Sequence, residues 1–382
     1  MKLQDFVWLP GGRIIFSLAA PDSGLVNSLF GRCNLWELLI DPGTGQPSGT
    51  LRRLTNWPGG TSINDVYATA DGKRLSVRRM APSVSVYLAD FDAQRKRISA
   101  PSPFTASDAQ NSAPTWTGDS QAIFFESNRD GRLQIFRQEI SGATAQPVAT
   151  GPGEASTPLL SPDGSFLLYL TPAHAMVGDS SKLFQLMRVP RIGGPPQRVL
   201  SARLFDSPRC TRAPAILCAI AEPSRDRKQM IFTAFDPLQG RGRELARIGV
   251  DPNVDYGWDL SPNGAQVALV KRVTRPDGKI FWSEGAIHIL SLNGEPPREI
   301  RVQGVQIFRE NVDWAADGKG LIVSHPTGTG TDLLYVDLHG SASVLWRQQG
   351  ATLFRGVPSP DGRHLAILRH GAYNNVWMIE NF

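Results

Sequence analysis

The chain has 382 residues, 40 Lys and Arg against 35 Asp and Glu, a net charge of +5 and 41% hydrophobic residues. This composition excludes a disordered chain, and the lack of any long unbroken apolar run excludes a membrane-spanning helix. The basic residues are scattered, and their densest groups (Lys73 with Arg74, Arg78 with Arg79, and Arg95 to Arg97) fall at turns and strand ends. Solvated strand edges explain them better than a nucleic-acid groove, so no nucleic-acid partner is expected. The start, MKLQDFVWLPGG, lacks the apolar stretch of a secretory signal and leads straight into a strand.

In chain order, one phrase returns: an apolar strand, a tight turn and a second strand. It reads VWLPGGRIIFSL at 7–18, YATADGKRLSVR at 67–78, TWTGDSQAIFF at 115–125 and LLSPDGSFLLYL at 159–170. It continues as DLSPNGAQVALV at 259–270, DWAADGKGLIVS at 313–324 and VPSPDGRHLAIL at 357–368. The turn residues Asp71, Asp119, Asp163, Asn263, Asp317 and Asp361 are spaced by 48, 44, 100, 54 and 44 residues. The longest step holds a degenerate hairpin around Ala213 to Ala215. A third strand follows each hairpin (LWELLID at 35–41, LQIFRQEI at 133–140, LLYVDL at 333–338), and a fourth with alternating charge usually follows that. The D-G, N-G and G-G pairs supply the positive φ of two-residue hairpins.

A period of about 50 residues with one hairpin per unit describes a radial β-array. The expected fold is all-β, a β-propeller of seven to eight four-stranded antiparallel blades forming a single domain over 1–382. Its units run about 1–58, 59–106, 107–152, 153–203, 204–250, 251–303, 304–350 and 351–382. The last unit ends after its third strand. Either residues 1–5 supply the missing fourth strand, or the chain begins inside a longer array.

Candidate chemistry is sparse. The six histidines (His174, His288, His325, His339, His364 and His370) include no pair at metal-ligand spacing, and no metal or other cofactor is expected. No nucleophile elbow, Gly-rich phosphate loop or kinase catalytic motif occurs, so the chain is expected not to be an enzyme. The turn carboxylates read as caps of their own backbone, and Trp8, Trp116, Trp258 and Trp314 as packing between blades. Cys210 and Cys218 flank Pro214 symmetrically. They are cross-strand partners, either joined as a disulfide, which implies an oxidising compartment, or packed as two thiols.

The remaining candidate is a place. Loops leading into the first strand of each blade rim the central channel of a propeller. Aligning the units on their turns puts Asp65, Asn111, Asp255, Tyr256, Glu310 and Arg355 at that rim, among a few further polar residues. The ring either holds a polar ligand or peptide or lines a water-filled channel. Long loops at 19–34, 171–182 and 272–285 carry apolar residues suited to a protein partner.

These hairpins, with SNRDGRLQIFRQEI at 127–140, resemble the WD40-like repeats of TolB-like propellers. The closing segment SPDGRHLAILRHGAYNNVWMIENF at 359–382 is similar to the ends of propeller regions in acidobacterial serine/threonine protein kinases and related membrane-bound regulators. The resemblance implies an extracytoplasmic, non-catalytic sensor or interaction propeller that binds a protein or small polar ligand. In such relatives the membrane is reached only through a span upstream of the propeller. The alternatives are a free-standing TolB-like envelope scaffold and a propeller enzyme such as a lactonase or cyclase.

Overall fold

In the computed structural model, 60% of residues lie in strands and 1% in helix. It describes all residues except 1, 21–31, 58–61, 106–108, 131, 149, 152, 172–182, 252–253, 255, 272, 275–279, 282–284, 308–311, 351 and 381. The long loops, and the apolar residues that mark them, fall largely outside the described residues.

The repeated phrase folds the same way along the chain. Ser161 donates its hydroxyl to Asp163 Oδ1 at 2.6 Å, and that oxygen also accepts the Ser165 N–H at 3.1 Å. The Ser161 oxygen in turn accepts the Phe166 N–H at 2.9 Å. The same hydroxyl–carbonyl or hydroxyl–carboxylate pair recurs at Thr117 with Asp119, Ser261 with Asn263 and Ser359 with Asp361. The hydroxyl bonds hold the Asp163 carboxyl below its usual range. Backbone pairing corrects the expected loop length. Gly164 N–H donates to Ser161 C=O at 2.8 Å and Ser161 N–H to Phe166 C=O at 2.9 Å, which makes four-residue loops around one tight turn. In the copies at 159–170 and 259–270 only the glycine of the turn needs positive φ, +70° at Gly164 and Gly264. In the copy at 117–122, Ser120 takes that conformation at φ +61°.

The chain divides into two compact units, Met1–Ser83 with Gly371–Phe382, and Val84–His370. The sequence pattern reads one repeat over 59–106 and another over 351–382; the structure divides both. Their second and third strands run on without a turn, as the single strands Arg74–Asp92 and His364–Glu380, each serving both units.

In the first unit, Lys2–Leu9, Arg13–Ala20, Arg32–Leu39 and Arg52–Arg53 form a four-stranded sheet in that order. Ser62–Ala68 pairs with 74–80, and Arg74 Nε meets Glu380 at 2.9 Å. Ile15, Leu35, Ile63 and Leu75 are fully buried in its core. The Arg79 guanidinium lies over the rings of Trp57 and Trp377, at 5.5 and 5.6 Å. Trp8, expected as packing between blades, is 60% exposed, because it occupies the face of its strand opposite to buried Leu9.

The second unit is a ring of six blades. Five are four-stranded meanders over 111–147, 156–202, 209–249, 256–301 and 312–349. The sixth combines both ends of the unit: 352–358 and 364–370 come from its C-terminal end, 84–92 and the short strand Ser102–Pro103 from its N-terminal end. Phe91 N–H donates to Arg363 C=O at 2.6 Å, and Arg369 donates to the Tyr87 hydroxyl at 2.7 Å. Strands from the two ends of the unit therefore clasp this blade, and residues 1–5 do not: Lys2–Leu9 pairs with Arg13–Ala20 in the other unit.

One apolar cluster sits between each successive pair of blades, which fixes the ring. Trp258 with Phe232 and Ala219, for example, fills the space between the third and fourth blades, and Trp314 with Ile289 that between the fourth and fifth. The last gap closes on Trp116, whose Nε1–H donates to Val357 C=O at 2.9 Å. Here the unusual Ser120 finds its reason, since its hydroxyl accepts the Asp361 N–H at 3.1 Å. A glycine would satisfy the turn but not the closure.

Candidate functional site

The first strands of the six blades face one another and enclose a cavity of ≈ 540 Å³, to which every blade contributes. Its charged groups are concentrated on the third to sixth blades. Arg355 grips Asp313, with Nη2 at 2.6 Å from Oδ1 and Nε at 3.0 and 2.9 Å from the two carboxylate oxygens. Asp313 is buried. Burial alone would lower the Arg355 pKa, but the Asp313 carboxylate outweighs it and the pKa is raised. Arg209 lies between Asp206, at 3.4 Å, and Asp259, at 3.3 Å.

The carboxylates also latch neighbouring blades. Asp259 Oδ2 accepts the Trp314 N–H at 2.9 Å, and Asp206 Oδ2 accepts the Trp258 N–H at 3.4 Å. Glu126 does the same for Thr157 N–H at 2.8 Å, and Asp5, in the other unit, for Val66 N–H at 2.8 Å. A carboxylate reaching the next inner strand is thus a structural habit of this chain.

Asp259 is more than a latch. Burial and the like charge of Asp313 push its carboxyl up to about 6. The folded chain therefore holds this proton more tightly than the unfolded chain does. The resulting cost is absent below about pH 4, grows as pH rises through the interval to about 6, and is complete above it. Asp259→Asn should remove this dependence, so that wild type loses on the order of 2 kcal/mol relative to the variant across that interval. Urea unfolding of both proteins at several pH values checks this, and parallel profiles would refute it.

Cys210 and Cys218 stand directly opposite each other at the start of the third blade and form a disulfide, with Cα atoms 4.0 Å apart. The bond spans the 211–217 loop, in which the Thr211 hydroxyl accepts the Leu217 N–H at 2.9 Å. Arg209 and Arg212 flank it, and both line the cavity.

Of the four described residues among the six expected at the rim, Arg355 alone lines the cavity. Asn111 is fully buried within its own blade, where its side chain accepts from Arg129 at 3.0 Å and donates to Ala109 C=O at 2.9 Å. Tyr256 is buried against Phe205, and its hydroxyl accepts the Asp251 N–H at 2.9 Å. Asp65 belongs to the first unit and pairs with Arg78 at 2.6 Å. Asp255 and Glu310 lie outside the described residues. Turn alignment chose positions at the beginning of each first strand, whereas the cavity is walled by residues two to five positions further on. Asp206, Arg209, Arg212, Asp259 and Asp313 were missed. The signal for two of them was present: Asp259 and Asp313 each stand four residues before their turn residue, in a strand whose neighbours are apolar. Among the described residues no group of three or more side chains is placed to hold a metal ion, and no helix is long and apolar enough to cross a membrane.

No family model and no curated protein matches the sequence. Solved structures do. Putative TolB from Agrobacterium tumefaciens is 16% identical over 75% of this chain and 99% of its own, with a TM-score of 0.54. TolB from Acinetobacter baumannii is 14% identical over 96% of this chain and 81% of its own, with a TM-score of 0.43. Oligogalacturonate lyase in complex with manganese is 13% identical, covering 80% and 77%, with a TM-score of 0.44. The fold is that of a β-propeller. Within that class it is TolB-like. The expectation that the chain is not an enzyme does not stand, because similar structures include oligogalacturonate lyase and puromycin hydrolase as well as TolB. This architecture is shared by enzymes and non-enzymes, and missing sequence motifs do not separate them.

Proposed function

We propose that the chain is a binding propeller that acts outside the cytoplasm and takes a polar ligand, or a segment of a protein partner, in the channel of the Val84–His370 ring. The observation that carries this reading is convergence: six blades contribute to one cavity whose charged groups, among the described residues, are concentrated on four of them. The disulfide supports the compartment. On this reading the propeller is the sensor or interaction region of a larger signalling protein of the kinase-associated kind. The likeness to TolB, which spans 99% of that protein, favours a second role as an envelope scaffold. Both roles place the partner in the same channel.

Photo-crosslinking tests the site. A benzophenone amino acid is placed at Ala316, on the cavity wall, or at exposed Arg243, on the outermost strand of the third blade. Partner capture should come from the Ala316 position. Capture from Arg243 alone would move the site to the outer wall.

A further inference from the structure

We propose that the channel takes a ligand with one carboxylate on an uncharged body, and that Arg212 binds the carboxylate. This deepens the channel reading and rests on it.

Three arginines and three aspartates form the charged cluster, and they are not evenly matched. Arg355 is fully engaged by Asp313 through three contacts of 2.6 to 3.0 Å. Arg209 is shared between Asp206 and Asp259. Asp206 and Asp259 also accept backbone N–H groups of the next blade. Arg212 is left over. Among the described residues it has no hydrogen-bond partner and no ion pair, although it lines the cavity and lies in the field of Asp259 and Asp313. Arg212 stays exposed where it lines the cavity, and desolvation there lowers its pKa despite the nearby carboxylates. A fork of N–H donors held in that way is matched by a carboxylate, which accepts two parallel hydrogen bonds from it.

The surroundings limit the ligand to a single negative charge. Asp259 and Asp313 act on Arg212 and would repel a second anionic group. Outside the cluster, only Asp163 among the described wall residues is charged, and it is held by Ser161 and Ser165 within its own turn. Eight of the described wall residues are prolines, which offer no N–H donor to a second anion and present smooth apolar surface. The cavity of ≈ 540 Å³ falls in the range of small-molecule sites, about 300–1,000 Å³. A peptide C-terminus and a free organic acid share this chemistry. Asp259 adds a pH dependence. Facing Asp313, Arg209, Arg212 and Arg355, with Asp206 beyond Arg209, it gains a proton as pH falls through about 6 and so removes one negative charge beside the bound carboxylate.

Calorimetric titration of the full chain tests this with three probes: N-acetyl-Ala-Pro-Ala as the free acid, the same peptide as its C-terminal amide, and hexanoate. The free acid should bind one to one, with the amide at least about tenfold weaker. Arg212→Ala should weaken the free acid by at least about tenfold, Arg212→Lys should fall between, and Arg243→Ala should match wild type. Binding should be tighter at about pH 5.5 than at about pH 7.5. Peptide binding without hexanoate assigns the carboxylate to a peptide C-terminus; binding of both assigns it to either source. Equal binding of acid and amide, undiminished binding by a folded Arg212→Ala, or no heat from any probe at millimolar concentration would overturn the proposal. Should Arg212→Ala fail to fold, the comparison of acid with amide on wild type decides alone. Cross-links from Ala316 that persist in Arg212→Ala would sink this inference and leave the channel reading intact.

Discussion

Asp313→Ala should destabilise the ring by roughly 3–5 kcal/mol, the usual effect of leaving a buried charge without its partner. Among the described residues Arg355 has no other carboxylate free to replace it. Asp259 is already engaged by Arg209 and by the Trp314 N–H, and Asp206 by Arg209 and the Trp258 N–H. Most of the loss comes from the stranded guanidinium rather than from the value of the pair itself. Removing both charges, as in Asp313→Ala with Arg355→Met, should therefore recover most of it. Urea unfolding of the single and double variants measures both effects. A single variant within about 1 kcal/mol of wild type would mean that water reaches this pair freely.

Trp116→Ala should cost about 3–5 kcal/mol, in the range for emptying a large aromatic site. Trp116 is 1% exposed and packed among Ile123, Phe125, Phe136 and Ala366. It also donates to Val357 C=O across the gap between the first and last blades of the ring. Substitution thus opens a cavity and orphans a buried carbonyl at the one junction where the ring closes on itself. Chemical unfolding of the Val84–His370 ring, followed by circular dichroism, should show the loss. A change under about 1 kcal/mol would contradict a closed ring.

Much of the architecture was readable because the turn chemistry is local. Ser-x-Asp-Gly states its own hydrogen bonds, and period-2 strands on either side state the hairpin. Cys210 and Cys218 were placed opposite each other for the same reason, being equidistant from Pro214 across a short loop. What was not legible depends on groups distant in sequence. The pairing of 84–92 with 364–370 exchanges third strands between two repeats, each of which reads in sequence as keeping its own. Ser120 looks like a flawed glycine until Asp361 is beside it. The channel residues were misplaced because turn alignment sets blade order without saying how far along each first strand the side chains begin to face inward. Small shifts in register there, as between Ser156 and Leu159 or between Leu353 and Arg355, change which residues point into the channel. Arg212 was hidden more deeply, in the one hairpin that lacks the repeated phrase.

Two arginines of one channel differ in kind, Arg355 locked by Asp313 and Arg212 open. Modification of the native protein by phenylglyoxal, read residue by residue with mass spectrometry, tests this most directly. Arg212 should react readily, since its guanidinium faces the channel without a partner among the described residues. Arg355 should resist until the protein is unfolded, because Asp313 occupies it. Arg355 reacting as fast as Arg212, or Arg212 resisting as strongly as Arg355, would contradict the arrangement on which the binding site rests.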